Sequence, residues 1–306
     1  ESLDLTNFDT SQVKNISAMF NYCYKVKIEG INKFNTKNII DMSKMFTYCK
    51  EMKSIDISNF DVSNVEDMSG LFSNCISLES LDFTNFNSIE VRSMSNMFIG
   101  CKELKKINFG KFVTKNVKSM SNMFSNCQSL ESIDLSLFDT SELENIDNMF
   151  YDCASLISID LSNFNTHKLN SMNALFRGCS SLKEIKFGNF DTSKVTNMGS
   201  LFQSNSALTS IDLSSFITNQ VEDMSYMFSG CSKLTDINLK NFDTSKVTNM
   251  ANMFNRCPLL KKIDISNFDT SSTIYMFGMF QGCVSLESLD LSNFETKNVV
   301  DMNGMF

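Results

Sequence analysis

A phenylalanine returns every 26 residues from Phe20 to Phe306, with no insertion or deletion between copies. Nothing else in the sequence limits the fold as tightly. A fixed period of about 20–50 residues marks a solenoid or propeller, whose units are too short to bury their apolar residues alone and must stack. The period overrides the two domains that a chain of 306 residues would otherwise suggest. The chain reads as a single solenoid over 1–306, with a partial repeat at 1–20 and eleven repeats filling 21–306. It begins and ends in mid-repeat, so it is expected to be a segment of a longer chain whose caps lie elsewhere.

Counted from the residue after each repeated Phe, the unit reads xxCxxLxxIDLSNFDTSxVxxMxxMF, as in SNCQSLESIDLSLFDTSELENIDNMF at 125–150. Nine columns are apolar or Cys in nearly every copy. Of 28 Phe, 24 fall in the "NF" and "MF" columns, and 19 of 20 Met fall in two more. A stack needs this discipline, because each side chain packs on its own counterpart in the next unit. The LxxIDL segment alternates apolar and polar residues, which predicts a short half-buried strand. SNFDTS predicts a turn, and VxxM a second extended piece. In S-x-M-F-x-x-C, apolar residues three or four apart after a capping residue predict one or two turns of helix. The expected fold class is an α/β repeat, a leucine-rich-repeat-like solenoid of stacked parallel strands and short helical turns. At about 4.8 Å per unit it would be roughly 50–55 Å long. Pro258 is the only proline and glycines number 11, so Asn, Asp and Ser must make the turns.

The order LxxIxL, then V, then MFxxC resembles the BspA-like leucine-rich repeats. In its 26-residue form it is similar to the repeat of listerial surface proteins and mycoplasma lipoproteins. The resemblance covers the whole chain. It implies a solenoid displayed at the cell surface, anchored by parts outside this segment, and for some members adhesion to host matrix or plasma proteins such as fibronectin or fibrinogen. It fixes no binding residues.

Ten cysteines occupy one column: Cys23, Cys49, Cys75, Cys101, Cys127, Cys153, Cys179, Cys231, Cys257 and Cys283, with Asn205 in the remaining slot. Stacked Cα atoms at about 4.8 Å fall within disulfide range. Parallel side chains, however, hold the Cβ atoms too far apart, and Asn205 splits the column into odd runs of seven and three. Structural zinc wants four converging ligands, and the sole histidine, His167, lies in a distant turn. A structural ladder of buried thiols is the simplest reading, with some disulfides the alternative. Asn205 suits it, since leucine-rich repeats accept Asn or Cys where either can bond neighbouring backbone.

Two features could carry recognition. Asp4, Asp56, Asp82, Asp134, Asp160, Asp212, Asp264 and Asp290 form a row that should face solvent, interrupted by Gly30, Asn108, Lys186 and Asn238. It could solubilise the strand face, meet a basic partner or bind cations. The repeat at 99–124 is locally basic, and Lys105, Lys106, Lys111, Val113 and Leu137 could form a contact patch beside drift on a solvated face. The Thr column, Thr10 through Thr296, is expected to bond within its turns.

No acid–base pair, nucleophile–base pair, phosphate loop or metal cluster is present, so neither an enzyme nor a cofactor is expected. A net charge of −8 argues against nucleic acid as the main partner. No apolar run approaches the roughly 18 residues of a membrane span, so this segment is not expected to insert. The leading expectation is a non-catalytic adhesion or interaction module with a protein ligand. The alternative is a passive spacer or antigenically variable stalk.

Overall fold

Three corners, each capped by a side chain in most of its copies, fold the units back on themselves in the computed structural model, which describes residues 2–306. In the repeat at 125–150, the Asp134 carboxylate accepts the Ser136 N–H (2.9 Å), Asp139 accepts that of Ser141 (3.0 Å), and Asn145 accepts that of Asp147 (2.9 Å). A short polar side chain that accepts the N–H two residues on holds the backbone in a turn without proline. The Asp row is thus one of three turn-making columns.

Units stack in parallel. An unbroken ladder of bridges steps by 26 residues from Asn15↔Asp41 through Asn145↔Ser171 to Tyr275↔Asp301. The IDL segments pair less continuously. Strand β1 (Ser2–Asp4) pairs with β2 (Lys27–Glu29), β3 (Ser80–Asp82) with β4 (Lys106–Asn108), and β5 (Ser158–Asp160) with β6 (Glu184–Lys186), all parallel. Leu81 faces Ile107 and Ile159 faces Ile185, in phase with the repeat, whereas Leu3 faces Ile28, one residue out of phase.

The helical turns expected at S-x-M-F-x-x-C are not there. Among the described residues the only helix is a single 3-10 turn, Ile31–Lys33. The MF segment is instead a ladder of turns. The N–H groups of Met42, Lys44, Phe46 and Tyr48 donate to Asp67, Ser69, Leu71 and Ser73 of the next unit, while those of Met45, Thr47 and Cys49 close local turns on Met42, Lys44 and Phe46. A helix would turn its N–H groups along its own axis, so they could not form an alternating ladder to the neighbouring unit. Alternating the donors requires left-handed backbone at every fourth residue, and Lys44 (φ 57°) and Tyr48 (φ 61°) adopt it. In other units Asn96, Asn122, Asn126, Gly100 and Gly178 fill these slots, residues that tolerate positive φ best.

All nine apolar columns contribute to one continuous core. The MF rings stack from Phe20 to Phe306 at 5.3–6.2 Å between centroids and within 18° of parallel. The Thr column is a tenth buried column, and its bonds run to the next unit, not within its own turn. Thr192 Oγ1 donates to the Ile217 carbonyl (2.8 Å) and accepts the Ile217 N–H (2.8 Å), and Thr244 does the same to Asp269 (2.9 and 2.8 Å). Ser88 serves equally well toward Val113. Val62, buried in this column, makes neither bond and leaves Asn87 unclamped. Val62→Thr is expected to raise stability by about 1 kcal/mol, one net buried hydrogen bond, read from the denaturant midpoint. A lowered midpoint would show that the site cannot accept the hydroxyl.

Candidate interaction surface

The ten thiols are free, eight of them buried and Cys23 and Cys283 half-buried. Nine donate S–H to the carbonyl of the MF phenylalanine one unit earlier, from Cys49 to Phe20 (3.3 Å) to Cys283 to Phe254 (3.1 Å). Burial pushes these thiols up, Cys101 and Cys231 to about 12 and Cys127 and Cys179 well above the ordinary range. A thiol held protonated in an apolar wall is a poor nucleophile and a poor metal ligand. His167 is exposed and bonds Asn165 (2.6 Å). Among the described residues no cluster of His, Cys, Asp or Glu could hold a metal ion.

Asn205 departs from the expectation. It is fully buried, yet neither its amide nitrogen nor its oxygen finds a partner. The slot is shaped for a single thiol donor aimed at one carbonyl, and a planar amide with two polar ends cannot satisfy both there. Asn205→Cys is expected to stabilise by about 1–3 kcal/mol, the cost of an orphaned buried polar group. The gain should appear in thermal or denaturant melts, and an unchanged midpoint would mean that the amide finds partners.

The row Asp4, Asp56, Asp82, Asp134, Asp160, Asp212, Asp264 and Asp290 lies on the surface, with each carboxylate spent on the N–H two residues on. For Asp56, Asp82, Asp134, Asp160, Asp212 and Asp264 the side-chain hydroxyl two residues on holds the carboxyl below its ordinary range, helped by that N–H; for Asp4 and Asp290 the N–H contributes most.

Lys105, Lys106 and Lys111 are all exposed. Leu137, 71% exposed, stands where Asn163 and Asn241 donate to a carbonyl of the preceding unit. With Gly110, Phe112 and Asp134 it lines a hollow of about 180 Å³. Lys111 and Val113 do not line it, and Val113 is half-buried with its backbone clamped by Ser88.

The sequence reading missed a second surface. Tyr22 and Tyr24 are exposed, Tyr22 stacks on Tyr48 at 4.7 Å, and Lys50 Nζ lies 4.7 Å over the Tyr24 ring. Beside them a cleft of about 590 Å³ opens between β2 and Lys53–Asp56. Both signals were in the sequence: three of six tyrosines lie within 22–48, and KIEGI spaces its isoleucines one residue wider than IDL spaces its apolar pair.

The family model described as "Mycoplasma protein of unknown function, DUF285" matches residues 1–106, 71–184, 154–238 and 233–306. The chain belongs to this family. The likeness of its unit to BspA-like leucine-rich repeats, in their mycoplasma form, agrees with that assignment. A search of curated proteins found no match. Similar solved structures include a leucine-rich-repeat protein of T. pallidum, at 21% identity over 69% of this chain and 76% of that one, with a TM-score of 0.35. Another is a leucine-rich cell surface protein of Faecalibacterium prausnitzii (16%, 96% and 84%, TM-score 0.37), and a third an internalin of Listeria monocytogenes (14%, 85% and 75%, TM-score 0.31). At TM-scores below 0.5 these likenesses do not bear on partner or site.

Proposed function

We propose that this DUF285 chain is a non-catalytic protein-interaction repeat, displayed at the cell surface and anchored by parts outside this segment. The observation that carries the reading is the division of labour within the unit. The repeated columns are consumed by core, corners and clamps, so only residues that differ between copies remain to recognise a partner. Lys105, Lys106 and Leu137 are such residues, exposed on a rigid stack. A long regular surface of this kind suits macromolecules better than small molecules, and no helix among the described residues is long and apolar enough to cross a membrane.

The adhesive form of this reading, with a host matrix or plasma protein as ligand, is tested by surface plasmon resonance on immobilised fibronectin and fibrinogen. Saturable binding that falls at least tenfold in K105E/K106E/K111E supports it and places the contact on the lysine repeat. Absence of binding to either protein would favour the spacer.

A further inference from the structure

The cleft beside β2 exists because one unit is out of phase. In most units the IDL segment holds two inward apolar residues separated by one Asp, as in Ile55-Asp56-Ile57, but Ile28 and Ile31 are separated by Glu29 and Gly30. Pairing of Leu3 with Ile28 keeps the apolar residue in register with the preceding unit. The surplus residue is then taken up by Gly30, at φ 78°, and the 3-10 turn that follows. No Cβ would fit at Gly30, since it would lie 2.6 Å from the Thr6 backbone nitrogen. The slip leaves β2 bonded to the unit before it. No backbone hydrogen bond links Lys27–Asn32 to Lys53–Asp56 among the described residues; β4 and β6 likewise make none to the units that follow them, but beside β2 the gap opens as a cleft of about 590 Å³. One edge of β2 therefore faces the cleft unpaired, and an unpaired edge is a template for a further strand.

The walls indicate what that strand would be. The cleft is lined by the half-buried Ile28, Met52 and Ile55 and by the exposed Lys25, Lys27 and Lys53, with Glu51 and Asp56 beside them. Lys25 and Lys27 have only surface ion pairs, to Glu51 at 3.8 Å and Glu29 at 2.9 Å, and Lys53 has none among the described residues. Asn32 bonds Asp56 across one end of the cleft at 3.2 Å. Between Asn21 and Asp56 seven lysines stand against four acids, in a chain whose net charge is −8. Tyr22 and Tyr24 add exposed aromatic surface alongside, the residue type that most often anchors protein contacts. An extended chain presents alternate side chains to opposite sides. Small aliphatic residues on one side would meet the apolar lining, and acids on the other the lysines.

We propose that the cleft between β2 and Lys53–Asp56 binds an extended acidic segment of a partner protein, added to the free edge of β2 as an extra strand. The proposal rests on the reading of this chain as an interaction repeat and supplies the chemistry of the partner. The probe is fluorescein-labelled Asp-Val-Asp-Val-Asp-Val, titrated with the whole chain in a fluorescence anisotropy assay. Saturable binding is expected, at least tenfold weaker for the same peptide N-methylated on alternate amides and at least tenfold weaker in K27E/K53E. Both lysines are exposed, and a thermal melt checks that the variant stays folded. Amide shifts at Ile28 and Ile55 should locate the peptide. Absence of saturable binding would overturn the proposal, as would equal binding of the N-methylated peptide or full displacement by a heparin fragment, which would reveal a general polyanion surface. If the peptide fails while fibronectin or fibrinogen still binds, this cleft is wrong and the interaction reading survives; if all fail, both fall.

Discussion

Replacing Phe150 with Ala is expected to destabilise the solenoid by about 3–5 kcal/mol, the usual loss for a fully buried phenylalanine. Its ring has no exposed surface and lies between Phe124 (5.5 Å) and Phe176 (5.6 Å) in the MF stack. The cavity would have little way to collapse. The backbone on either side is pinned by Asn148, Phe150 and Asp152 N–H groups donating to Asn173, Leu175 and Arg177, so neighbouring rings cannot slide inward without breaking that ladder. In a stack each unit contacts only its neighbours, and stability is close to a sum of unit and interface contributions. The loss should therefore be local. Hydrogen exchange should show those three amides opening first, with loss of protection fading outward from the substituted unit. By contrast, Leu137→Ala removes a side chain that is 71% exposed and should cost under about 0.5 kcal/mol. A uniform fall in protection along the chain, or a Phe150→Ala cost below that of Leu137→Ala, would contradict this account of the packing.

What was legible in the sequence follows from which forces leave a periodic trace. Burial does: the Phe, Met and Leu columns are apolar in every unit, and the Cys column in all but the one with Asn205, because each must cover the last, and the core could be read directly. Hydrogen bonding between units leaves a fainter trace. Thr192 looks like any Thr of a D-T-S turn, and only the structure shows that its hydroxyl serves Ile217, 25 residues on. The MF segment carries helical spacing, Met42 to Met45 and Phe46 to Cys49, so the period alone argued for helix. The contrary signal was the enrichment of Asn and Gly at the two slots that include Asn122 and Gly178, which asks for left-handed backbone and forbids a continuous helix. The solenoid itself was legible, as was its parallel stacking; the way in which each turn is made was not. At the surface the limit is different. Lys105 and Lys106 stand out as departures from the consensus, whereas the β2 cleft arises from a phase shift with almost no change in composition. A departure of spacing is harder to see than a departure of residue type.

The second large effect is alkaline unfolding. Eight thiols are buried, and all eight are pushed above the ordinary range, with burial the largest cause for each. An unfolded cysteine ionises near pH 8.5, whereas in the fold Cys49, Cys101 and Cys231 hold their protons to about pH 12. The folded pKa is raised, so below the unfolded value both states are protonated and the stability these groups contribute is whole. Above it the unfolded chain releases protons that the folded chain keeps, and stability falls until the folded thiols also ionise. Each such thiol contributes a slope of about 1.4 kcal/mol per pH unit. Acting together, eight give a slope on the order of 10 kcal/mol per pH unit between about pH 9 and 12, by the same linkage. Since a chain of this length is stable by roughly 15–45 kcal/mol, it should unfold within a few pH units above 9 while remaining intact at pH 7. A slope that scales with the thiol count can come only from the thiols themselves. Replacing Cys127, Cys153, Cys179 and Cys231 with Ser, whose hydroxyl can donate to the same carbonyls, should halve it. Denaturant melts at pH 8 to 10.5 under reducing conditions measure the slope, and thiol titration of the unfolded chain confirms the count. A flat profile, or one indifferent to the four substitutions, would mean that the thiols are not buried donors, and the ladder reading of the Cys column would fall with it.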